Sequence, residues 1–192
     1  MLNLTSVDKR GQQGTTMIEL LITLVILAVG LLGLAVLQSK MQLASNEAYQ
    51  RAQAIVLLSD MSQRIKILHD TSITSYLTAG VGTGDSQPSS CSSITAGPLR
   101  DLCEWSNALK GAAEVKSSVN VGGMTGARGC ITQMAAPTTV AGVCTPGSYL
   151  VEVTWQGLHK TAAPPATLIC GKDSYGDERY RRAASVKITI GC

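Results

Sequence analysis

Six cysteines are the residues whose type and number most directly suggest covalent chemistry. The number is even, and the smallest gap between two of them is 12 residues. Structural zinc sites use closely spaced pairs such as C-x2-C, whereas cysteines of an exported domain usually form disulfides. The pattern predicts an oxidising compartment, three disulfides, no metal and no cofactor. The cysteines are Cys91, Cys103, Cys130, Cys144, Cys170 and Cys192. We expect sequential pairing, Cys91–Cys103, Cys130–Cys144 and Cys170–Cys192, although spacing alone does not determine it.

Two histidines and one charged cluster are the remaining candidates for chemistry. His69 and His159 are isolated, and no nucleophile, metalloprotease or phosphate-loop motif accompanies them. The sequence therefore predicts no enzyme. The cluster consists of Lys172, Asp173, Asp177, Glu178, Arg179, Arg181 and Arg182. Its mixed signs favour a solvated, self-neutralising loop. The alternative is a contact patch for a subunit, a polyanion or DNA, since Tyr175 and Tyr180 are interleaved with the basic residues.

The composition divides the chain into two regions. All six prolines and all six cysteines lie after residue 87, so the first third is nearly free of helix breakers. The chain has 192 residues and a mean hydropathy of +0.18, which excludes disorder as its main state. The net charge of +3 is too small to indicate nucleic acid by itself. A single small domain with an appendage is expected.

The appendage is apolar. Residues 20–37 carry no charge, and together with residues 17–19 they make a helix of about 31 Å, roughly one bilayer core. Lys9 and Arg10 precede it, which predicts a cytoplasmic N-terminus. The run is too long for the apolar part of a signal peptide. An ordinary membrane anchor and, less well, a buried soluble helix are the alternatives.

Glu19 distinguishes this segment from an ordinary anchor. A lone carboxylate at this depth costs about 2–3 kcal/mol and calls for a cation. Cleavage after Gly14 would create an amine at Thr15, four residues from Glu19. The carboxylate could then pair with its own N-terminus or with that of a neighbouring subunit.

The segment from Gly14 to Glu19, with its basic leader and apolar helix, resembles the class III prepilin signal of type IV pilins and pseudopilins. In that family a membrane peptidase cuts after the glycine and methylates the new N-terminus, and the glutamate serves assembly. Residues 18–38 also resemble minor pilins of the PilV type. Thr15 replaces the usual Phe. Many members have a proline in the helix, whereas this chain has Gly30 and Gly33, which either weaken the helix or permit close packing.

Beyond the apolar run the sequence predicts an α+β fold. An amphipathic stripe should extend the helix from about Thr16 to His69 and pack it on a small antiparallel sheet. Residues 78–98 are expected to form a loop and residues 100–110 a short helix. Strands are predicted at 115–121, 128–134, 149–156 and 185–190. The stripe consists of Met41, Ala44, Ala48, Ala52, Ile55, Leu58, Met61, Ile65 and Leu68.

The resemblance implies a leader at 1–14, a transmembrane and later fibre-core helix at 15–37, an amphipathic helix at 38–69 and a disulfide-bonded head at 70–192. It implies a minor pilin that promotes initiation of the type IV pilus near its tip. The protein would span the inner membrane once, with a periplasmic head, before it enters the extracellular fibre. Its partners would be the prepilin peptidase, other minor pilins, the major pilin, the inner-membrane assembly machinery and, before assembly, lipid. Nucleic acid is not expected. A type II secretion pseudopilin, a single-pass periplasmic binding module and a secreted enzyme are the alternatives.

Overall fold

The computed structural model describes residues 16–67, 73–112, 115–117, 119–120 and 123–191. The chain forms two compact units, which divide between Ala44 and Ser45. A long N-terminal helix is followed by a small four-stranded antiparallel sheet, so the predicted α+β architecture is confirmed.

The long helix, α1, comprises Met17–Ile67. It begins where the N–H of Leu20 donates to the carbonyl of Thr16 at 3.2 Å. Glu19 lies in its first turn, and Arg64 and Lys66 in its last, where each charge is favourable to the helix dipole. The expected end at His69 lies outside the described residues.

The part of α1 in the first unit is exposed throughout. Its large apolar side chains from Leu20 to Leu37 are 53–68% exposed. Among the described helices, α1 alone is long and apolar enough to cross a membrane, with a mean hydropathy of 3.0 in its most apolar window. So much exposed hydrocarbon requires an apolar environment, from lipid or from other helices.

The second unit contains the remaining elements. The second helix, α2, comprises Pro98–Leu109, close to the predicted 100–110, with a proline in its first turn. The described strands are β1 (Thr78–Gly82), β2 (Val115–Lys116), β3 (Val119–Asn120), β4 (Arg128–Ala135), β5 (Thr138–Val140), β6 (Val143–Thr145), β7 (Gly147–Gln156) and β8 (Arg181–Ile190). The main sheet has the order β1-β4-β7-β8 and is antiparallel throughout, while β2–β3 and β5–β6 are separate pairs.

Three of the four predicted strands are confirmed as β4, β7 and β8. The prediction at 115–121 holds only as the two short strands β2 and β3. The expected loop at 78–98 begins instead with β1, which a sequence of Thr-Ala-Gly-Val-Gly barely indicates because glycine weakens a strand. Pairing with β4 supplies the hydrogen bonds that its composition does not favour.

The core lies between α1, α2 and one face of the sheet. Trp105 of α2 is 1% exposed and donates from Nε1 to the carbonyl of Leu57 at 3.0 Å. The six-membered part of its indole lies over Gly129 of β4, where an added Cβ would approach a ring carbon to 2.3 Å. Glycine is therefore needed at 129 for close approach of the helix to the sheet.

A network of charges joins α1 to α2. The guanidinium of Arg64 donates to Asp60, Asp101 and Glu104 at 2.7–3.0 Å. The Tyr76 hydroxyl also donates to Asp101. Burial first, and then the hydrogen bond to Asp101, raise the pKa of Tyr76 well above its usual value. These contacts satisfy polar groups that packing of the two helices removes from water.

The predicted apolar stripe on α1 is only partly correct. Leu58, Met61 and Ile65 are buried as expected. Nearer the membrane segment, Ile55 is 51% exposed, and Ala54 is buried in its place. The face of α1 that packs in the core passes through Ala54, Leu58 and Met61, so at this point it lies one residue earlier than the predicted stripe.

Candidate functional site: the assembly segment and the head surface

Glu19 lies in the first turn of α1, where its N–H donates to the carbonyl of Thr16 at 3.0 Å, and its side chain is exposed. Within described residues 16–44 the only cation is Lys40, which at 1.5 Å per residue is about 31 Å away along the helix. Any partner for the carboxylate must come from elsewhere. The predicted processing residues Gly14 and Thr15 lie outside the described residues.

Two disulfides lie within the described part of the head. Cys91–Cys103 joins the Ser-rich loop before α2 to α2, as expected. Cys130 bonds to Cys170, with a Cα–Cα distance of 5.7 Å. The expected pairs Cys130–Cys144 and Cys170–Cys192 are therefore wrong. Cys144 is also disulfide-bonded, and Cys192 lies outside the described residues.

The loop between β7 and β8 explains the corrected pairing. It folds back over the face of the sheet opposite the helices, which brings Cys170 next to Cys130 of β4. The Tyr175 hydroxyl donates to the carbonyl of Gly126 at 2.9 Å and lies 3.2 Å from Thr154 Oγ1. Burial raises the pKa of Tyr175. This loop, residues 157–180, thus covers the outer face of β4 and β7.

Arg181, the first residue of β8, holds the same loop in place through hydrogen bonds. Its side chain is 2% exposed and donates to Glu178 at 2.7 Å, to the carbonyl of Leu168 at 2.8 Å and to that of Cys170 at 3.2 Å. A buried guanidinium needs such a set of acceptors, because an unpaired buried charge is strongly destabilising.

Glu152 is a buried carboxylate in the described part of the head. It lies on β7 opposite Cys130 and is 0% exposed. Neither carboxylate oxygen has a well-formed hydrogen bond among the described residues. Burial raises its pKa, although the Cys170 backbone and Arg181 act in the opposite direction. Glu152 alternates along β7 with the core residues Val151 and Val153, a pattern typical of a solvent-facing position, but the loop above it removes it from solvent.

The C-terminal charged cluster is largely neutralised by ion pairs. Asp177 is 3.0 Å from Lys160 Nζ and 2.7 Å from Arg179, whose hydrogen bonds lower the pKa of Asp177. Arg182 pairs with Glu47 at 3.0 Å. Tyr175 is buried, so it is not available to stack on bases. The described contacts favour the self-neutralising loop over a polyanion site.

The histidines and carboxylates form no described centre for chemistry. His159 Nδ1 lies 3.1 Å from Glu47, and His69 is outside the described residues. Within the described part of the chain, no group of three or more His, Cys, Asp or Glu side chains is placed to hold a metal ion. A groove of about 510 Å³ lies beside the Cys130–Cys170 bond and is lined mainly by apolar and hydroxyl side chains.

Comparison with known families agrees with the N-terminal features. Residues 9–35 match the family model of the prokaryotic N-terminal methylation motif. No curated protein and no solved structure matches the chain significantly. The matched segment contains Gly14, Thr15 and Glu19 and continues into the apolar half of α1. It supports a type IV pilin-like or pseudopilin protein, a class that is structural rather than catalytic and anchored by its apolar N-terminal helix.

Proposed function

We propose that this chain is a minor type IV pilin of the PilV type. It is inserted in the inner membrane with its N-terminus in the cytoplasm and its head in the periplasm. Prepilin peptidase cuts it after Gly14 and methylates Thr15. It then enters a pilus, near the tip, where it promotes initiation of assembly together with other minor pilins, the major pilin and the assembly machinery. Its activity is association rather than a reaction.

The observation that carries this proposal is the position of Glu19. It is an exposed carboxylate at the start of an apolar helix, and within described residues 16–44 the only cation is Lys40. A new amine at Thr15 would lie one helical turn away in sequence. In a low-dielectric bundle the attraction between the two charges is much stronger than in water. The match over residues 9–35 supports the same arrangement.

The exposure of the apolar helix supports two successive environments for it, first lipid and then the interior of a fibre. In the membrane, lipid covers the side chains from Leu20 to Leu37. In a fibre, the same side chains are covered by the helices of neighbouring subunits. Pairing of Glu19 with a neighbour's Thr15 amine would then set the axial register, because a misplaced carboxylate stays unpaired in an apolar core.

A pseudopilin of a type II secretion system is the second candidate. The match over residues 9–35 favours it equally, since that motif is common to both kinds of protein. The disulfide-bonded head and its long loops favour the pilus. Co-purification with sheared pili, compared with incorporation into a secretion pseudopilus, separates the two candidates.

Processing is tested by the mass of the mature chain from membranes. We expect a chain that begins at Thr15 and carries one methyl group. Gly14→Val should leave the precursor uncut, whereas the matched variant Gly11→Val should be processed normally. A mature chain that retains Met1 would refute the proposal.

Assembly is tested separately with Glu19→Ala. Cleavage should remain near normal, whereas incorporation into sheared pili should fall at least about tenfold, equivalent to about 1.4 kcal/mol. Lys40→Ala, which removes the other charged side chain of described residues 16–44 and is exposed, is the matched control. Normal incorporation of the Glu19 variant would exclude the pairing mechanism.

A further inference from the structure

The two edges of the main sheet differ in how open they are to pairing. The order β1-β4-β7-β8 leaves β1 and β8 with one neighbouring strand each. β1 has five residues, and its register to β4 is irregular between Thr78 and Val81. β8 has ten residues in unbroken register with β7. Short or bulged strands protect a sheet edge from further pairing, so β8 is the unprotected edge.

The middle of β8 is accessible. Ser185, Val186 and Lys187 are exposed, as is Thr189. Among the described residues, the backbone groups of 183–190 bond only within the ladder to β7. In an antiparallel ladder, half of the N–H and C=O groups of an edge strand point away from its partner. An added extended strand matches the spacing of these unpaired groups.

We propose that the β8 edge from Ala183 to Thr189 binds an extended strand of a partner protein, and that this strand carries a carboxylate opposite Lys187. Main-chain hydrogen bonds to β8 would supply affinity, and the side chains that alternate along the strand would supply specificity. The partner is thus defined by conformation and charge.

The charge of Lys187 determines which kind of residue on the added strand can face it. Its neighbours on the same face of β8 are Ser185 and Thr189, and this stretch contains no acidic residue. The described ion pairs of the head satisfy Arg181 and Arg182 but do not include Lys187. Opposite charges at facing positions on neighbouring strands stabilise a sheet by about 0.2–1 kcal/mol. A carboxylate on the added strand would therefore be selected over a cation.

The other face of the added strand should be apolar. Val186 is aligned with Val151, which is fully buried, yet Val186 itself is 36% exposed at the edge of the core. An apolar residue on the partner strand would cover it and extend the core sideways. The expected occupant alternates apolar residues with a carboxylate and hydroxyl residues.

A second copy of this chain fits the edge poorly. Antiparallel pairing of two β8 strands about the exposed centre, Val186 to Ile188, places the two Lys187 side chains opposite or diagonal to each other. Like charges in these positions destabilise pairing. Lysine on an edge strand is a common device against self-association. The same side chain that opposes a second copy would attract an acidic strand.

The test uses the full chain in detergent micelles and two capped peptides, Thr-Val-Glu-Val-Thr and Thr-Val-Lys-Val-Thr. The glutamate peptide should bind at least about threefold more tightly, and its binding should slow amide hydrogen exchange within 183–189. Lys187→Glu should reverse the preference between the peptides. The matched variant Lys172→Glu, in an exposed loop, should leave it unchanged.

Four outcomes would overturn the inference: equal binding of the two peptides, no binding of either, protection at β1 instead of β8, or concentration-dependent protection of β8 without peptide. The last would show that a second copy occupies the edge. Circular dichroism of both variants establishes that the fold is retained. The test does not depend on cleavage at Gly14, so it can fail or succeed independently of the proposed function.

Discussion

Glu47 Oε1 accepts a hydrogen bond from Arg182 Nη2 at 3.0 Å, across 135 positions of sequence. The same oxygen lies 3.1 Å from His159 Nδ1 and accepts from the N–H of Leu158 at 3.2 Å. Glu47 and Arg182 have side chains that are 22% and 16% exposed. One carboxylate near the start of the second unit thus joins α1 to β8 and to the loop after β7.

Replacement of this carboxylate should loosen the attachment of α1 to the sheet. We expect Glu47→Gln to lower the free energy of unfolding by about 1–3 kcal/mol, the usual range for charge-assisted hydrogen bonds. Urea unfolding of the full chain in detergent measures the change. Asp173→Asn is the control, because Asp173 is exposed and has a positive φ that asparagine also tolerates. A loss no larger than that of the control would show that solvent screens the contact.

Glu152 predicts a dependence of stability on pH. Its folded pKa is raised by burial, so the folded state holds this proton to a higher pH than the unfolded state does. Stability from this group is fully present below the unfolded pKa, about 4.3, and is lost as the pH rises through the folded value.

Glu152→Gln should therefore stabilise the head at about pH 7, and the gain should shrink as the pH falls towards the unfolded pKa. Urea midpoints of the variant and the parent at about pH 7 and at about pH 4.3 measure this difference. Glu178→Gln is a useful contrast because its hydrogen bond to the Asp173 backbone lowers its pKa. A variant that is least stable near neutral pH would contradict the assignment.

The Cys130–Cys170 bond should stabilise the head more than Cys91–Cys103 does. The two bonds span 40 and 12 positions, and the chain-entropy model gives about 4 and about 3 kcal/mol for such loops. Serine pairs at 130/170 and at 91/103 would show the difference in urea unfolding. Peptide mapping that recovers Cys130 bonded to Cys144 would contradict this connectivity directly.

Gly129→Ala should damage the contact between α2 and the sheet. The added Cβ would lie 2.3 Å from the ring of Trp105, so helix or strand must shift. We expect a loss of about 1–3 kcal/mol, typical of overpacking, together with altered tryptophan fluorescence. Gly80→Ala is the matched control, since nothing lies within 4 Å of a Cβ there. Equal stability of the two variants would refute the close packing.

The sequence predicts the parts of the fold that depend on periodicity. The alternation in β7 and β8 places Val151 and Ile188 on one face, and both are buried against the helices. The sequence does not predict what long-range contacts determine. Glu152 lies at a position of β7 that the alternation assigns to solvent. The loop at residues 157–180, which is bonded to β4 through Cys170, nevertheless buries it.

The same limit applies to the disulfides and to the buried face of α1. Order along the chain favours pairing of neighbouring cysteines, but the loop between β7 and β8 folds back and brings Cys170 to β4. Ala54 rather than Ile55 is buried, because packing on the sheet and on α2 determines which face of α1 enters the core. The candidate assembly residue Glu19 is identified from sequence alone, since a lone charge in an apolar run is a local feature.

The Cys130–Cys170 bond also affects how the head would withstand proteases. The ring that it closes contains the β5–β6 pair, where Val140 and Val143 are 71% and 69% exposed. Exposed loop tips of this kind are preferred sites of proteolytic nicking. A cut anywhere between residues 131 and 169 would leave both fragments covalently joined, with β4 still bonded to the loop that precedes β8. A nicked subunit would migrate as one chain until it was reduced.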